Sequence, residues 1–179
     1  TMASNYGTSF GFRRSDNAVR EGRFYVPATG VFQHGDLVTI DPANPGFIKK
    51  AAANQPIVPG VTGLLIQASS NLRLVYAGTP SNSVYLENVN NGESCAIWTG
   101  DHLKVWVLNR EARATAGGRP GYEARTILNT TGMTLGGMVA WNGSMYVSTT
   151  DPTAAVGTVT LLIPTAAGSP GAAEFALAK

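Results

Sequence analysis

The sequence predicts an all-β fold: a compact β-barrel or β-tulip-like domain with extended N- and C-terminal segments. Three observations predict it. Short apolar runs rich in Val, Ile, Thr and aromatic residues are punctuated by Gly, Pro and Asn, the pattern of strands joined by tight turns. Gly (21) and Pro (10) together fill roughly a sixth of the 179 residues, above the usual share of about 12%. The clearest local signal is the stretch 132–163. There Asn142-Gly143 separates Met138, Ala140 and Trp141 from Met145, Tyr146 and Val147. Both turn residues tolerate positive φ, which predicts a type I′ hairpin. Asp151-Pro152 ends the second run, and Val156 to Ile163 follows as a third strand.

The chain divides into an extended N-terminal arm (1–23), a β-domain (24–163) and a C-terminal arm or edge strand (164–179). Residues 1–23 are polar and aperiodic, with Arg13, Arg14, Arg20 and Arg23 outnumbering Asp16 and Glu21. Tyr6, Phe10 and Phe12 make this more than a solvated tail, because disordered tails are poor in aromatics. These seven residues are the candidate contacts to a partner, with the arginines near carboxylates. On this reading, deleting 1–23 leaves the β-domain folded.

The strands follow in order. Phe24-Tyr25-Val26 ends at Pro27. Leu37 to Ile40 and Phe47 to Lys50 form a hairpin across the turn cluster 41–46, with Leu37 and Thr39 on one face and Val38 and Ile40 on the other. Residues 60–67 read as a buried strand, and Leu72 to Tyr76 as another. Asn91-Gly92 predicts a hairpin between 83–89 and 93–98. In 102–108, Leu103, Val105 and Val107 share the core face. Residues 109–121 are a loop with a helical turn, and 122–128 a strand that closes the sheet. Phe175 and Leu177 alternate near the end of the chain.

Little in the sequence carries catalytic chemistry. Charged residues are 13% of the chain and the formal net charge is +2; nucleic-acid binders carry a strong basic footprint, so no nucleic acid is expected. No apolar run is long enough for a membrane-spanning helix, so no membrane is expected. Cys95 is the one thiol, and His34 and His102 are the only imidazoles. They lack the close ligand pairs of a structural zinc site. Gly92-Glu93-Ser94-Cys95-Ala96 approximates a nucleophile elbow without its strand-turn-helix context. No phosphate loop or dinucleotide fingerprint is present. Asn129-Thr130-Thr131 and Asn142-Gly143-Ser144 match the glycosylation acceptor pattern without a secretory signal. The expectation is a non-enzyme with no cofactor and no metal. Trp98, Trp106 and Trp141 are assigned to the core or to an oligomer interface.

Gly35-Asp36-Leu37-Val38, Pro59-Gly60-Val61-Thr62-Gly63-Leu64 and Leu135 to Gly143 with Val156-Gly157-Thr158-Val159 together resemble the head decoration, or cement, proteins of tailed bacteriophages, over about residues 24–163. The resemblance implies a small β-rich protein, often trimeric. It would sit on the outer surface of the capsid and brace neighbouring major capsid subunits. It implies the major capsid protein as partner, a homotrimer, synthesis in the host cytoplasm and residence on the virion. The alternative is a β-sandwich adhesion or glycan-binding module of a phage fibre or baseplate, in which exposed tryptophans stack on sugars.

Overall fold

The structure is a computed structural model that describes residues 10–14, 19–27, 32–33, 35–67, 74–76, 83–85, 88–89, 94–100, 103–108, 127–164 and 171–178. Every regular element among them is a strand. These are β1 (Phe10–Arg14), β2 (Val19–Tyr25), β3 (Phe32–Gln33), β4 (Leu37–Ile40), β5 (Ile48–Lys50), β6 (Thr62–Gln67), β7 (Leu74–Tyr76) and β8 (Ser83–Tyr85). They continue with β9 (Asn88–Val89), β10 (Ser94–Thr99), β11 (Lys104–Leu108), β12 (Met138–Trp141), β13 (Tyr146–Thr149), β14 (Ala155–Ile163) and β15 (Ala172–Leu177). The predicted all-β class holds.

One sheet is nearly closed and barrel-shaped. Five strands run in the order β2-β10-β6-β4-β5. A parallel bridge from Tyr25 to Phe47 then brings the first strand back to the last, with the Tyr25 N–H donating to the Gly46 carbonyl at 2.9 Å. Closure removes most of the exposed edge that an open sheet leaves. The barrel is filled by Val26, Val38, Ile48, Leu65, Cys95 and Ile97, with Phe32 among them. Its narrowness explains Gly63. A Cβ there would lie 2.6 Å from Ile97 Cγ2 and 2.7 Å from the Trp98 carbonyl oxygen, closer than side chains can approach.

The second sheet has six strands in the order β1-β11-β15-β14-β12-β13. Its inner face carries Val105, Val107, Phe175, Leu177, Val159 and Val139. This face packs on the outside of the barrel, where Leu37 and Leu64 join the same cluster. Strand β4 is therefore buried on both sides, Leu37 toward the second sheet and Val38 toward the barrel interior. Two aromatic residues fasten the layers. Trp141 and Tyr146, paired across β12 and β13, stack edge-on at 5.0 Å. The Trp141 Nε1–H donates to the Ala51 carbonyl at 3.2 Å, and the Tyr146 hydroxyl to the Gly35 carbonyl at 2.5 Å. Buried aromatics with polar tips need such partners, and here those partners flank β4 and β5 in the other layer.

Several expectations are redrawn. The N-terminal arm is not a separate segment over its described length. β1 pairs antiparallel with β11, and β2 with β10, so residues 10–14 and 19–23 supply the end strand of each sheet. Their partners lie far along the chain, which is why no local period betrays them. The C-terminal segment is neither arm nor edge: β15 lies inside the second sheet, between β11 and β14. Its small residues Ala172, Ala173 and Ala176 suit a strand packed from both sides. Asn91-Gly92 lies outside the described residues, and the predicted pairing of 83–89 with 93–98 is not found among the described ones: β8 pairs with β7, β9 with β3, and β10 with β2 and β6.

The β12–β13 hairpin does form, but not on a type I′ turn. Trp141 pairs with Tyr146, leaving a four-residue loop. Asn142 keeps negative φ, and only Gly143, at +102°, takes the left-handed side. The Asn142 carboxamide oxygen accepts the N–H groups of Ser144 (3.0 Å) and Met145 (2.9 Å), so a side-chain turn replaces the backbone one. Val156 to Ile163 is the third strand as expected, and it pairs on the other side of β12. The 37–50 hairpin forms, Val38 opposite Lys50 and Ile40 opposite Ile48, with Phe47 joining the expected 41–46 loop.

Candidate functional site

Polar side chains organise one flank of the barrel. The segment after β5 folds back over β4 and β6 and is held by a chain of hydrogen bonds. The Ala52 N–H donates to Gln55 Oε1 at 3.0 Å. Gln55 Nε2 donates to Thr62 Oγ1 at 3.1 Å, which donates to Thr39 Oγ1 at 3.0 Å, which donates to the Val61 carbonyl at 3.2 Å. Thr39 and Thr62 are buried, so each hydroxyl needs this pairing. At the far end, Asn54 adopts φ of +61°, which asparagine tolerates, and its N–H donates to the Trp141 carbonyl at 2.7 Å.

The fold-back leaves an open groove of about 550 Å³. Thr39, Lys49, Gln55 and Val61 line it, while Ile40 and Lys50, which also border it, lie on the other face of the hairpin with Ile48 and Val38. Val61 is 43% exposed, as is Val58 beside it. Lys50 reaches over the Phe32 ring, 5.6 Å from its centroid, a cation–π distance. Asp41 borders the groove, yet its carboxylate is turned into its own loop. It accepts Asn44 Nδ2 at 2.7 Å and the Ala43 N–H at 3.1 Å. Those bonds, the Asn44 one first, hold its pKa below the ordinary 3.8, with a smaller pull from Lys49.

A second exposed apolar feature lies on the six-stranded sheet. Leu135 is 68% exposed on a turn anchored at both ends. Gly137 N–H bonds the Thr134 carbonyl (2.9 Å), Gly136 N–H the Val159 carbonyl (2.8 Å), and Val159 N–H the Gly137 carbonyl (2.9 Å). The turn presents a leucine on a fixed backbone, the arrangement that suits an anchor in a partner's pocket.

The sequence-predicted site residues that are described fall on several strands. Tyr6 lies outside the described residues. Phe10, Phe12, Arg13 and Arg14 belong to β1, with Phe10 opposite Val107 and Phe12 opposite Val105. Arg20 and Arg23 belong to β2. Trp141 is fully buried in the core, as assigned. Trp98 is half-buried on β10, and Trp106 sits on β11 opposite Glu174. Cys95 is buried inside the barrel, and His34 and His102 lie outside the described residues, as does 109–121. Among the described residues no three His, Cys, Asp or Glu side chains gather as a metal site would require. Nor is any helix there long and apolar enough to cross a membrane. The sequence reading missed the groove entirely.

No family model, curated protein or solved structure matches the chain.

Proposed function

We propose that this chain is a structural virion protein that binds the outer capsid surface and stabilises contacts between major capsid subunits. The observation that carries the reading is the pinned flank of the barrel. There Val58 and Val61 stand exposed on a scaffold whose loop is tied down by four successive side-chain hydrogen bonds. Such a surface is already ordered before it meets a partner, which lowers the entropy cost of docking. Leu135 offers a second fixed apolar contact on the other sheet. The role is non-catalytic and asks for no cofactor. The bacteriophage head decoration proteins that the sequence resembles are often trimeric, and a homotrimer is part of the proposal.

Trp141 cannot serve the glycan-binding alternative. Trp141 is sealed in the core and bonded to Ala51, and Trp98 is half-buried. The proposal is tested by mixing the protein with capsids of the parent particle stripped of it, then sedimenting them. Saturable co-sedimentation and a higher capsid disruption temperature are expected. Protein left in the supernatant at every concentration would defeat the reading.

A further inference from the structure

We propose that Asn142 is a self-modifying site: in the folded protein its side-chain amide is lost by cyclisation onto the Gly143 nitrogen, leaving aspartate or its β-linked isomer in the loop between β12 and β13. The inference is independent of the docking role proposed above. Among the described residues Asn142 is the only asparagine followed by glycine. Asn44 precedes proline, and Asn54, Asn88 and Asn129 precede Gln, Val and Thr. Proline has no N–H to give up, and a side chain on the following residue crowds the approach of its nitrogen to the amide carbon. Gly143 carries none. It stands at φ of +102°, and a Cβ there would find nothing nearer than the Ala53 nitrogen at 3.8 Å. No hydrogen bond holds the Gly143 N–H among the described residues. Asn142 itself is exposed, so water reaches the amide.

The loop also holds the oxygen that must carry charge. Asn142 Oδ1 accepts the Ser144 N–H at 3.0 Å, the Met145 N–H at 2.9 Å and the Ser144 hydroxyl at 3.3 Å. Donors aimed at an oxygen stabilise the negative charge that forms on it in a tetrahedral intermediate, and they draw electron density from Cγ. The steps balance with water and hydroxide alone. Hydroxide removes the Gly143 amide proton, the nitrogen attacks Cγ, and the carbonyl pair moves onto Oδ1. That pair returns as the Cγ–Nδ2 bond breaks, and Nδ2 takes a proton from water and leaves as ammonia. A further water opens the cyclic imide. Opening at Cγ gives aspartate, whose carboxylate keeps the backbone donors of Ser144 and Met145. Opening at the backbone carbonyl routes the chain through Cγ and adds a methylene to the link between Trp141 and Tyr146. Either product lowers the formal net charge of +2 by one.

The test incubates the folded full chain from neutral to mildly alkaline pH, well below its unfolding temperature. Peptide mapping by mass spectrometry follows each asparagine, and released ammonia gives an independent count. Asn142 should lose its amide first, and faster as pH rises. Asn129 is the internal control: it is exposed, and its Oδ1 accepts the Thr131 N–H at 3.0 Å, but Thr130 follows it. Its amide should persist. Ser144→Ala removes the hydroxyl donor and should slow the loss at Asn142 by roughly two- to threefold, with an unchanged circular dichroism spectrum. An Asn142 amide that survives in the folded chain while the urea-unfolded chain loses it would mean that the hairpin protects the residue, and would overturn the proposal. So would loss at Asn129 as fast as at Asn142, or a Ser144→Ala rate equal to that of the wild type.

Discussion

Replacing Tyr146 with Phe removes one hydroxyl and tests how the two sheets are joined. The ring keeps its 5.0 Å contacts with Trp141 and Phe175, so packing is nearly preserved. What is lost is the bond to the Gly35 carbonyl, 111 residues away in sequence. Gly35 is buried, so its carbonyl loses a partner that water cannot easily replace. Leaving a buried acceptor unpaired costs about 1–3 kcal/mol. For a chain of this size each kcal/mol lowers Tm by about 2–4 °C. A loss of about 2 kcal/mol therefore means a drop of about 4–8 °C. Urea unfolding followed by circular dichroism measures it, with an unchanged m-value showing that the fold is kept. Trp141→Phe, which removes the donor to Ala51, should couple to it in a double-mutant cycle, since the rings touch. A Tyr146→Phe protein within about 0.5 kcal/mol of wild type would refute the idea that this hydroxyl clamps the layers.

Other perturbations follow from the same geometry. Gly63→Ala should cost about 1–3 kcal/mol by overpacking, because its Cβ meets Ile97 and a backbone oxygen below 3 Å; chemical denaturation reads this directly. Deleting residues 1–23 should lower Tm and promote aggregation by baring the edges of β10 and β11, whereas a truncated chain that melts like the parent would return those residues to the status of an appendage. The Asp41 and Asp151 carboxyls should titrate below 3.8 in NMR. In each the largest cause is a side-chain hydrogen bond, from Asn44 and from Thr153 respectively. A lowered folded pKa adds stability above the ordinary carboxylate value, and that contribution is lost as pH falls through the lowered one; Asp41→Asn should abolish its share. Leu135→Ser should leave Tm unchanged, because the side chain is exposed, and should reduce capsid occupancy; full occupancy would remove Leu135 from the docking surface.

Legibility in the sequence tracked how locally each element is specified. The β4–β5 hairpin and the core face of β11 were readable, since alternation and a proline-rich turn lie within one short window. Leu37 and Val38 could be assigned to opposite faces, but not to two different cores. β1, β2 and β15 were misjudged because their partners are distant. Phe10-Gly11-Phe12 and Ala172-Ala173 gain their order from β10, β11 and β14. Asn142 was rightly seen as a turn residue, though its side chain rather than positive φ makes the turn. The groove was invisible because it arises from tertiary folding of 51–62 over β4, and no residue in it is unusual alone.

The most direct test of the central claim is a reconstruction of the intact particle at a resolution that shows side chains. This β-fold is expected on the outside of the shell, in three copies about a symmetry axis. The barrel flank bearing Lys49, Val58 and Val61 should face a major capsid subunit. The same fold found only in a fibre or baseplate, or bound to the shell with that flank turned to solvent, would contradict it.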